Sequence, residues 1–211
     1  MIGALDSSSS DQSVALADPT GRLLGSAAWS AERGQGGELL PRLLQLLDQQ
    51  GATLRDVTAI AVGIGPGSFT GLRVGLALAK GLVAGLGCPI VGIPSLDAWL
   101  VAVPEADAAL TRAGASDVYA RARDQAEPQI VAFAALSAAA RARPLVAPRD
   151  LATTLGLTHA QPPDGAAAAV ARLAADRFRD GSVDDVAQLE PVYLRPPRGL
   201  GDAAPAPITW L

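Results

Sequence analysis

Short apolar runs separated by polar turns fill the first third of the chain. Residues 2–6 form an apolar run and 7–12 a polar turn. Residues 13–17 alternate into a second strand that ends at Asp18-Pro19-Thr20-Gly21. Residues 23–30 suit a third strand. Turns this short imply an antiparallel meander, because parallel strands need long crossovers. A helical rhythm follows: leucines at 39, 40, 43, 44, 46 and 47 predict a helix over 38–50, stopped by Gly51. That stripe is wider than a helix lying on one sheet needs. The continuous apolar run 57–64 fits a buried parallel strand.

Gly65-Pro66-Gly67-Ser68-Phe69-Thr70-Gly71 then opens a helix predicted over 69–86, with Ser68 as its N-cap. Gly71, Gly75 and Ala79 are four apart and make a ridge without side chains, which lets another element approach closely. A glycine inside a helix costs about 1 kcal/mol, so several of them call for a packing reason. Gly87 and Pro89 end this helix, and 89–93 reads as another buried strand. Beyond Pro94 the pattern loosens. Residues 98–103 continue as helix, and 108–111 with 117–123 form a short antiparallel pair. The alanine-rich 132–142 favours helix. Residues 165–179 are helical, with Val170, Leu173, Ala174 and Phe178 on one face, and 191–195 form a short strand. No internal repeat of about 20–50 residues is visible.

This order predicts an α/β protein of two lobes, 1–103 and 104–195, each a mixed sheet flanked by helices. A tail at 196–211 is expected to be loosely ordered. The first lobe has the pattern of the ribonuclease-H-like, or actin-like, core.

Composition removes several functions. Hydrophobic residues are 49% of the 211, so this is no disordered chain. Cys88 is the only cysteine, which excludes an intrachain disulfide and a cysteine metal cluster. His159 is the only histidine, which removes two-histidine motifs and most zinc sites. The net charge is −4, and sixteen arginines are scattered around a single lysine, Lys80. Arg121, Arg123, Arg141, Arg143 and Arg149 make a modest basic cluster, read as a solvated face. With aromatics at 4%, neither a basic face nor a stacking set for RNA is present. No apolar run is read as approaching the roughly 18 residues of a membrane span, and the start of the chain lacks a basic n-region. A cytoplasmic location is therefore expected.

The glycine turn before the second helix can hold an anion on free backbone N–H groups. It lacks the Gly-Lys-Ser/Thr ending of a Walker loop and is not a dinucleotide fingerprint, so spacing alone favours a tight turn with close packing. As one string, however, Ala59-Ile60-Ala61-Val62-Gly63-Ile64-Gly65-Pro66-Gly67-Ser68-Phe69-Thr70-Gly71-Leu72-Arg73-Val74-Gly75 and its continuation to Leu82 resembles the signature of the TsaB family. Ala4-Leu5-Asp6-Ser7-Ser8 with Ser13-Val14-Ala15-Leu16 resembles that family's opening hairpin. Glu38-Leu39-Leu40-Pro41 resembles its first helix entry, and 164–195, ending Pro191-Val192-Tyr193-Leu194-Arg195, its C-terminal helix and strand. Residues 104–160 match weakly. Asp117-Val118-Tyr119 stands for a Glu-Val-Tyr, Thr111 and Arg112 stand near a missing acid, and Gly36-Gly37 replace a histidine.

The resemblance implies a non-catalytic paralogue of TsaD, the enzyme that transfers threonylcarbamoyl to an adenosine beside the tRNA anticodon. It implies TsaD as heterodimer partner, the ATPase TsaE in a larger complex, homodimers as an alternative, and only indirect contact with tRNA. The catalytic relative carries a His-x-x-x-His metal pair after the strand matching 89–93, and in register this chain has Ser95 and Trp99. No catalytic residue, metal or cofactor is therefore expected, although nucleotide at a subunit junction stays open. The family's partner contact uses the helices 38–50 and 69–86. This carries over to Leu39, Leu40, Leu43, Leu47, Phe69, Leu72, Arg73, Gly75, Leu76 and Ala79, which as a bare pattern are equally well core. The competing readings are an actin-fold kinase or glycoprotease-like enzyme, for which Asp6 and Asp97 are the candidate carboxylates, and an RNA-binding module.

Overall fold

A computed structural model describes residues 1–31 and 37–194. The expected tail at 196–211, Arg195 and Gly36 lie outside the described residues. The first sheet contains β1 (Ile2–Asp6), β2 (Asp11–Ala17), β3 (Leu23–Ser30), β4 (Ala59–Gly63) and β5 (Ile90–Ile93), in the order β3-β2-β1-β4-β5. β1, β2 and β3 form the antiparallel meander that the short turns predict, and β4 and β5 add in parallel. Helix α1 (Leu39–Gln49) joins β3 to β4, α2 (Phe69–Leu86) joins β4 to β5, and α3 (Ser95–Ala102) follows β5.

The second sheet repeats this plan in miniature. It contains β6 (Ala108–Arg112), β7 (Asp117–Ala122), β8 (Gln129–Ala132), β9 (Leu145–Val146) and β10 (Ala160–Gln161), in the order β10-β9-β6-β7-β8. β6, β7 and β8 are an antiparallel meander, and β9 and β10 add in parallel on the far side of β6. α4 (Ala138–Arg141), α5 (Arg149–Leu155) and α6 (Ala166–Arg179) occupy the places of α1, α2 and α3. The fold is therefore actin-like: two sheets of one topology, the second reduced to strands as short as two residues.

β2 and β4 of the first sheet sort side chains by size. Leu5, Val14, Leu16, Ile60, Val62 and Ile90 face α1 and α2. Ala4, Ala15, Ala17, Ala59 and Ala61 face α6, whose own Ala167, Ala171, Ala174 and Ala175 meet them. Small side chains on both surfaces let the helix lie close without voids. Buried Ser13 completes the joint, its hydroxyl accepting from the Ala167 N–H at 2.9 Å and satisfying a free donor of the first turn of α6.

Three expectations about local structure are corrected, and the connecting helices are exchanged between the two sheets. α3 packs on the second sheet through Leu96, Trp99 and Leu100, whereas α6 returns to the first. The segment after α6 stays there too: Asp184 accepts from the Gly92 N–H at 2.7 Å, and Leu189 enters the first core. Residues 191–194 are not a strand; they touch the sheet through one bond, Val192 N–H to Ile64 C=O at 2.8 Å. The alanine-rich 132–142 holds only a 3-10 turn and the single turn of α4. Lastly, α2 is long and apolar enough by composition to cross a membrane, contrary to the reading that no run approaches that length. It lies along the first sheet with Leu72, Leu76, Ala79, Leu82 and Val83 buried.

Candidate functional site

The turn between β1 and β2, residues 7–10, forms the floor of the cleft between the lobes. It is held from below by the glycines of α2 and its approach loop. Ser68 donates its N–H to the Ser8 carbonyl at 2.6 Å, and the Ser7 hydroxyl donates to the Gly71 carbonyl at 2.9 Å. A Cβ at Gly67 would stand 2.1 Å from the Ser8 carbonyl oxygen, at Gly71 2.0 Å from that of Ser7, and at Gly75 2.2 Å from the Ser7 hydroxyl. The missing side chains thus serve a close approach, as their spacing predicts, but the element that approaches is this chain's own serine turn. Ser68 caps α2 by accepting from the Gly71 N–H.

Asp6 ends β1 beneath this turn and is fully buried. Its Oδ1 accepts from the Ser8 hydroxyl at 2.7 Å and the Ser8 N–H at 3.2 Å. Its Oδ2 faces Gly63, where a Cβ would sit 2.0 Å from it and 2.7 Å from the Ser95 hydroxyl. Burial pushes the Asp6 carboxyl above its ordinary range, and the hydrogen bonds from Ser8 offset only part of that rise. Oδ2 and the Trp99 indole nitrogen both lack a hydrogen bond. Ser95 and Trp99 are themselves fully buried, and the Ser95 hydroxyl accepts from the Gly65 N–H at 3.0 Å.

These residues do not fit a divalent metal. An indole N–H is a donor only, serine is a poor ligand, and a single carboxylate without further ligands beside it cannot hold a divalent ion firmly. Among the described residues no three His, Cys, Asp or Glu side chains gather into a metal-holding group. Asp97, the other candidate carboxylate, is paired with Arg121 at 3.0 Å. His159 is exposed.

Above the serine turn the cleft holds about 220 Å³, lined by Ser8, Ser9, Ser10, Ser68, Thr111, Arg112 and Asp150. The second lobe closes on it through the start of α5. Arg149 binds Asp11 and Asp164, and Asp150 accepts from the Ser10 hydroxyl at 2.8 Å and pairs with Arg112 at 3.4 Å. Sequence reasoning missed this closure, because it assigned Arg149 to a solvated basic face. That face is corrected. Arg123 donates to the carbonyls of Leu100, Val103 and Ala106, and Arg141 to those of Phe133, Leu136 and Leu155. Arg143 pairs with Asp107 at 2.9 Å.

The expected partner-binding residues divide. Leu39, Leu43, Leu47, Leu72, Leu76 and Ala79 are buried in this chain's own core, and Gly75 lies under Ser7. Leu40 is half-buried, and Phe69 and Arg73 are exposed. The width of the leucine stripe is explained by two residues that point outward, Leu40 and Leu44.

Residues 30–149 match the family model of TsaD, tRNA N6-adenosine threonylcarbamoyltransferase. The chain is 43% identical over 58 residues to the tRNA threonylcarbamoyladenosine biosynthesis protein TsaB of Escherichia coli, a stretch that spans 28% of this chain and 25% of that one. It is 41% identical over 76 residues to an uncharacterized protein of Mycobacterium tuberculosis, spanning 36% of each. The aligned stretches thus cover well under half of these relatives. A solved structure from Pseudomonas aeruginosa, titled as similar to the peptidase YeaZ, superposes with a TM-score of 0.69 at 27% identity over 92% of this chain and 99% of its own. A second, titled YeaZ from Pseudomonas aeruginosa, gives 0.67 at 26% over the same shares. YeaZ and TsaB name the same protein, and with the TsaD model spanning more than half of the chain, the chain belongs to the TsaB family.

Proposed function

We propose that this chain is a non-catalytic partner of TsaD in forming threonylcarbamoyladenosine on tRNA, acting as a dimerisation scaffold. The observation that carries this reading is the pair Ser95 and Trp99. In register with the metal pair of the catalytic relative, they are buried together beside Asp6, and neither of the two suits a metal. What the chain offers instead is a surface. Leu40 and Leu44 on α1, with Val74, Ala77 and Leu78 on α2, are exposed or half-buried on the outer side of the first core. A partner presenting two helices of its own would make a four-helix contact there. TsaE would join this pair in a larger complex, tRNA would be met through TsaD, and a homodimer would use and compete for the same face.

The test is size-exclusion chromatography with light scattering on the chain mixed with TsaD of the same organism. Leu44→Glu and Ala77→Glu place charges on the outer face without entering the core. A one-to-one complex that both charges abolish is the expected result. No complex with the unaltered chain overturns the reading. The hydroxyl-lined cleft is the one observation that favours the alternative of a nucleotide-binding enzyme, and ATP turnover by the chain alone would establish it.

A further inference from the structure

One group on this outer face is built rather than merely exposed. The Arg73 guanidinium lies over the Phe69 ring, 3.8 Å from its centroid. Its Nε–H donates to the Tyr193 hydroxyl at 3.1 Å, and the two rings stand 5.5 Å apart. Phe69 and Tyr193 are 42% and 37% exposed, so two of the largest exposed apolar side chains among the described residues are spent holding one arginine. Stacking fixes the plane of the guanidinium and the Tyr193 bond fixes its rotation. Its two terminal nitrogens keep their hydrogens without a partner among the described residues. A planar fork held in this way matches the two oxygens of a carboxylate. Beside it runs a groove of about 330 Å³, with apolar walls from Leu76, Ala77, Leu189 and Pro191 and with Lys80 lining it farther along α2. Glu190 offsets one of the two cations and leaves the groove positive, on a chain whose net charge is −4.

We infer that Arg73 is the specificity residue of the partner face, receiving an Asp or Glu carboxylate from a partner segment whose neighbouring apolar side chain fills the groove. This rests on the scaffold reading and adds the chemistry of the contact. A two-oxygen acceptor takes both terminal nitrogens at once, an apolar neighbour covers the groove walls, and Lys80 adds long-range attraction for an acidic segment. Arg73 and Tyr193 are 120 residues apart in sequence, so the pair also ties the end of the described chain to α2.

Isothermal titration against TsaD of the same organism tests this, with Arg73→Ala, Arg73→Lys and Tyr193→Phe compared at low and high salt. Arg73→Ala is expected to weaken binding about tenfold to a hundredfold and to flatten its salt dependence. Arg73→Lys keeps the charge but loses the fork, so it should lose most of the same affinity. Tyr193→Phe keeps the stack, frees the Nε–H and should show a smaller loss. Melting curves of the three variants, whose altered atoms are solvent-facing, are expected to match the parent. Parent-like affinity in Arg73→Ala or Arg73→Lys overturns the inference, and if Leu44→Glu still abolishes the complex, the scaffold reading stands without it. Loss confined to the homodimer, or binding that depends on added tRNA, also overturns it by naming a different occupant. Absence of any complex with the parent chain removes both readings.

Discussion

Asp11 and Arg149 are 138 residues apart in the chain and meet across the cleft. Arg149 Nη1 donates to Asp11 Oδ1 at 2.5 Å, and the Arg149 backbone N–H donates to Oδ2 at 2.8 Å. The same guanidinium forks onto Asp164 at 2.9 and 2.6 Å. One arginine therefore joins the start of β2, the start of α5 and the approach to α6. The hydrogen bonds that Arg149 donates to Asp164 and then Asp11 raise its pKa above the ordinary value. Asp11 is 1% exposed, so its charge has little water to turn to if the arginine is removed.

Arg149→Ala should therefore destabilise the chain by about 1–3 kcal/mol. That is less than stripping a fully buried ion pair, because the guanidinium is half exposed and the backbone N–H to Asp11 survives. Asp164→Asn should cost less, since Asp164 is 45% exposed. Urea midpoints of the two single variants and the double variant check this, and coupling between them is expected because they share one guanidinium. Hydrogen exchange should quicken at residues 8–11 and 149–151 in Arg149→Ala before it quickens elsewhere.

Asp6 gives a pH signature of opposite sign to an ordinary salt-bridged carboxylate. Burial raises its pKa in the folded chain, so the folded state holds a proton that the unfolded state releases near its usual value of about 4. The stability this group allows is full below that value and is lost as pH rises toward the raised folded pKa. Asp6→Asn keeps the shape and an acceptor for Ser8 but cannot ionise. Its stability relative to the parent should rise as pH climbs from about 4 and level off above the folded pKa. Denaturation midpoints across pH would show it, and a flat difference would mean that Asp6 titrates normally.

Much of this fold was legible because the first sheet is built from long enough pieces. β3, α1, α2, α3, β6, β7 and α6 lie within a few residues of their predicted bounds, since each carries a full period of its pattern. β9 and β10 are two residues each and α5 seven, too short for alternation or helical rhythm to register. The exchange of α3 and α6 between lobes was invisible for another reason: apolar spacing says that a face is buried, not on which sheet. The same limit applies at the cleft. Gly71 and Gly75 announced a close approach, but only the fold shows that Ser7 makes it. Leu39, Leu43 and Ala79 fit core and interface equally well as a pattern, and the fold buries all three within this chain. Asp11 and Arg149 had no local signal at all, because each is an ordinary residue at the end of a short element.

Nucleotide should not stabilise the chain. The cleft is below the roughly 300 Å³ at which ligand pockets begin. Arg112, the cation that lines it, is paired with Asp150 and donates to Thr154 at 2.9 Å. Asp150 brings a negative charge toward any phosphate. Millimolar ATP with magnesium is therefore expected to leave the melting temperature unchanged. A ligand present at a hundredfold excess over its Kd would add about 2.7 kcal/mol and raise it by about 5 °C or more. Such a rise would show that the α5 closure opens to admit nucleotide.

The glycines of α2 offer an internal control within one helix. Gly81 and Gly85 have nothing within 4 Å of where a Cβ would stand, and neither needs a left-handed backbone. Alanine there removes unfolded-chain freedom and meets no neighbour, so each substitution should stabilise by about 0.5–1 kcal/mol. Gly71 and Gly75, about three and two turns nearer the N-terminus than Gly81, should respond in the opposite direction. A Cβ at Gly71 meets a backbone oxygen, that of Ser7, at 2.0 Å. The serine turn would have to lift, breaking the Ser7 bond to the Gly71 carbonyl and disturbing Ser8 above Asp6. Gly71→Ala should therefore cost about 3 kcal/mol or more, the upper end for overpacking. At Gly75 the obstacle is the Ser7 hydroxyl, a side chain that can rotate away if it gives up its bond, so Gly75→Ala should cost less. Pairing Gly75→Ala with Ser7→Ala removes that hydroxyl and should recover part of the loss, whereas Ser7→Ala leaves the carbonyl facing Gly71 in place and should not rescue Gly71→Ala. Thermal melts of these six variants separate helix propensity from close approach, because propensity alone predicts the same small gain at all four glycines.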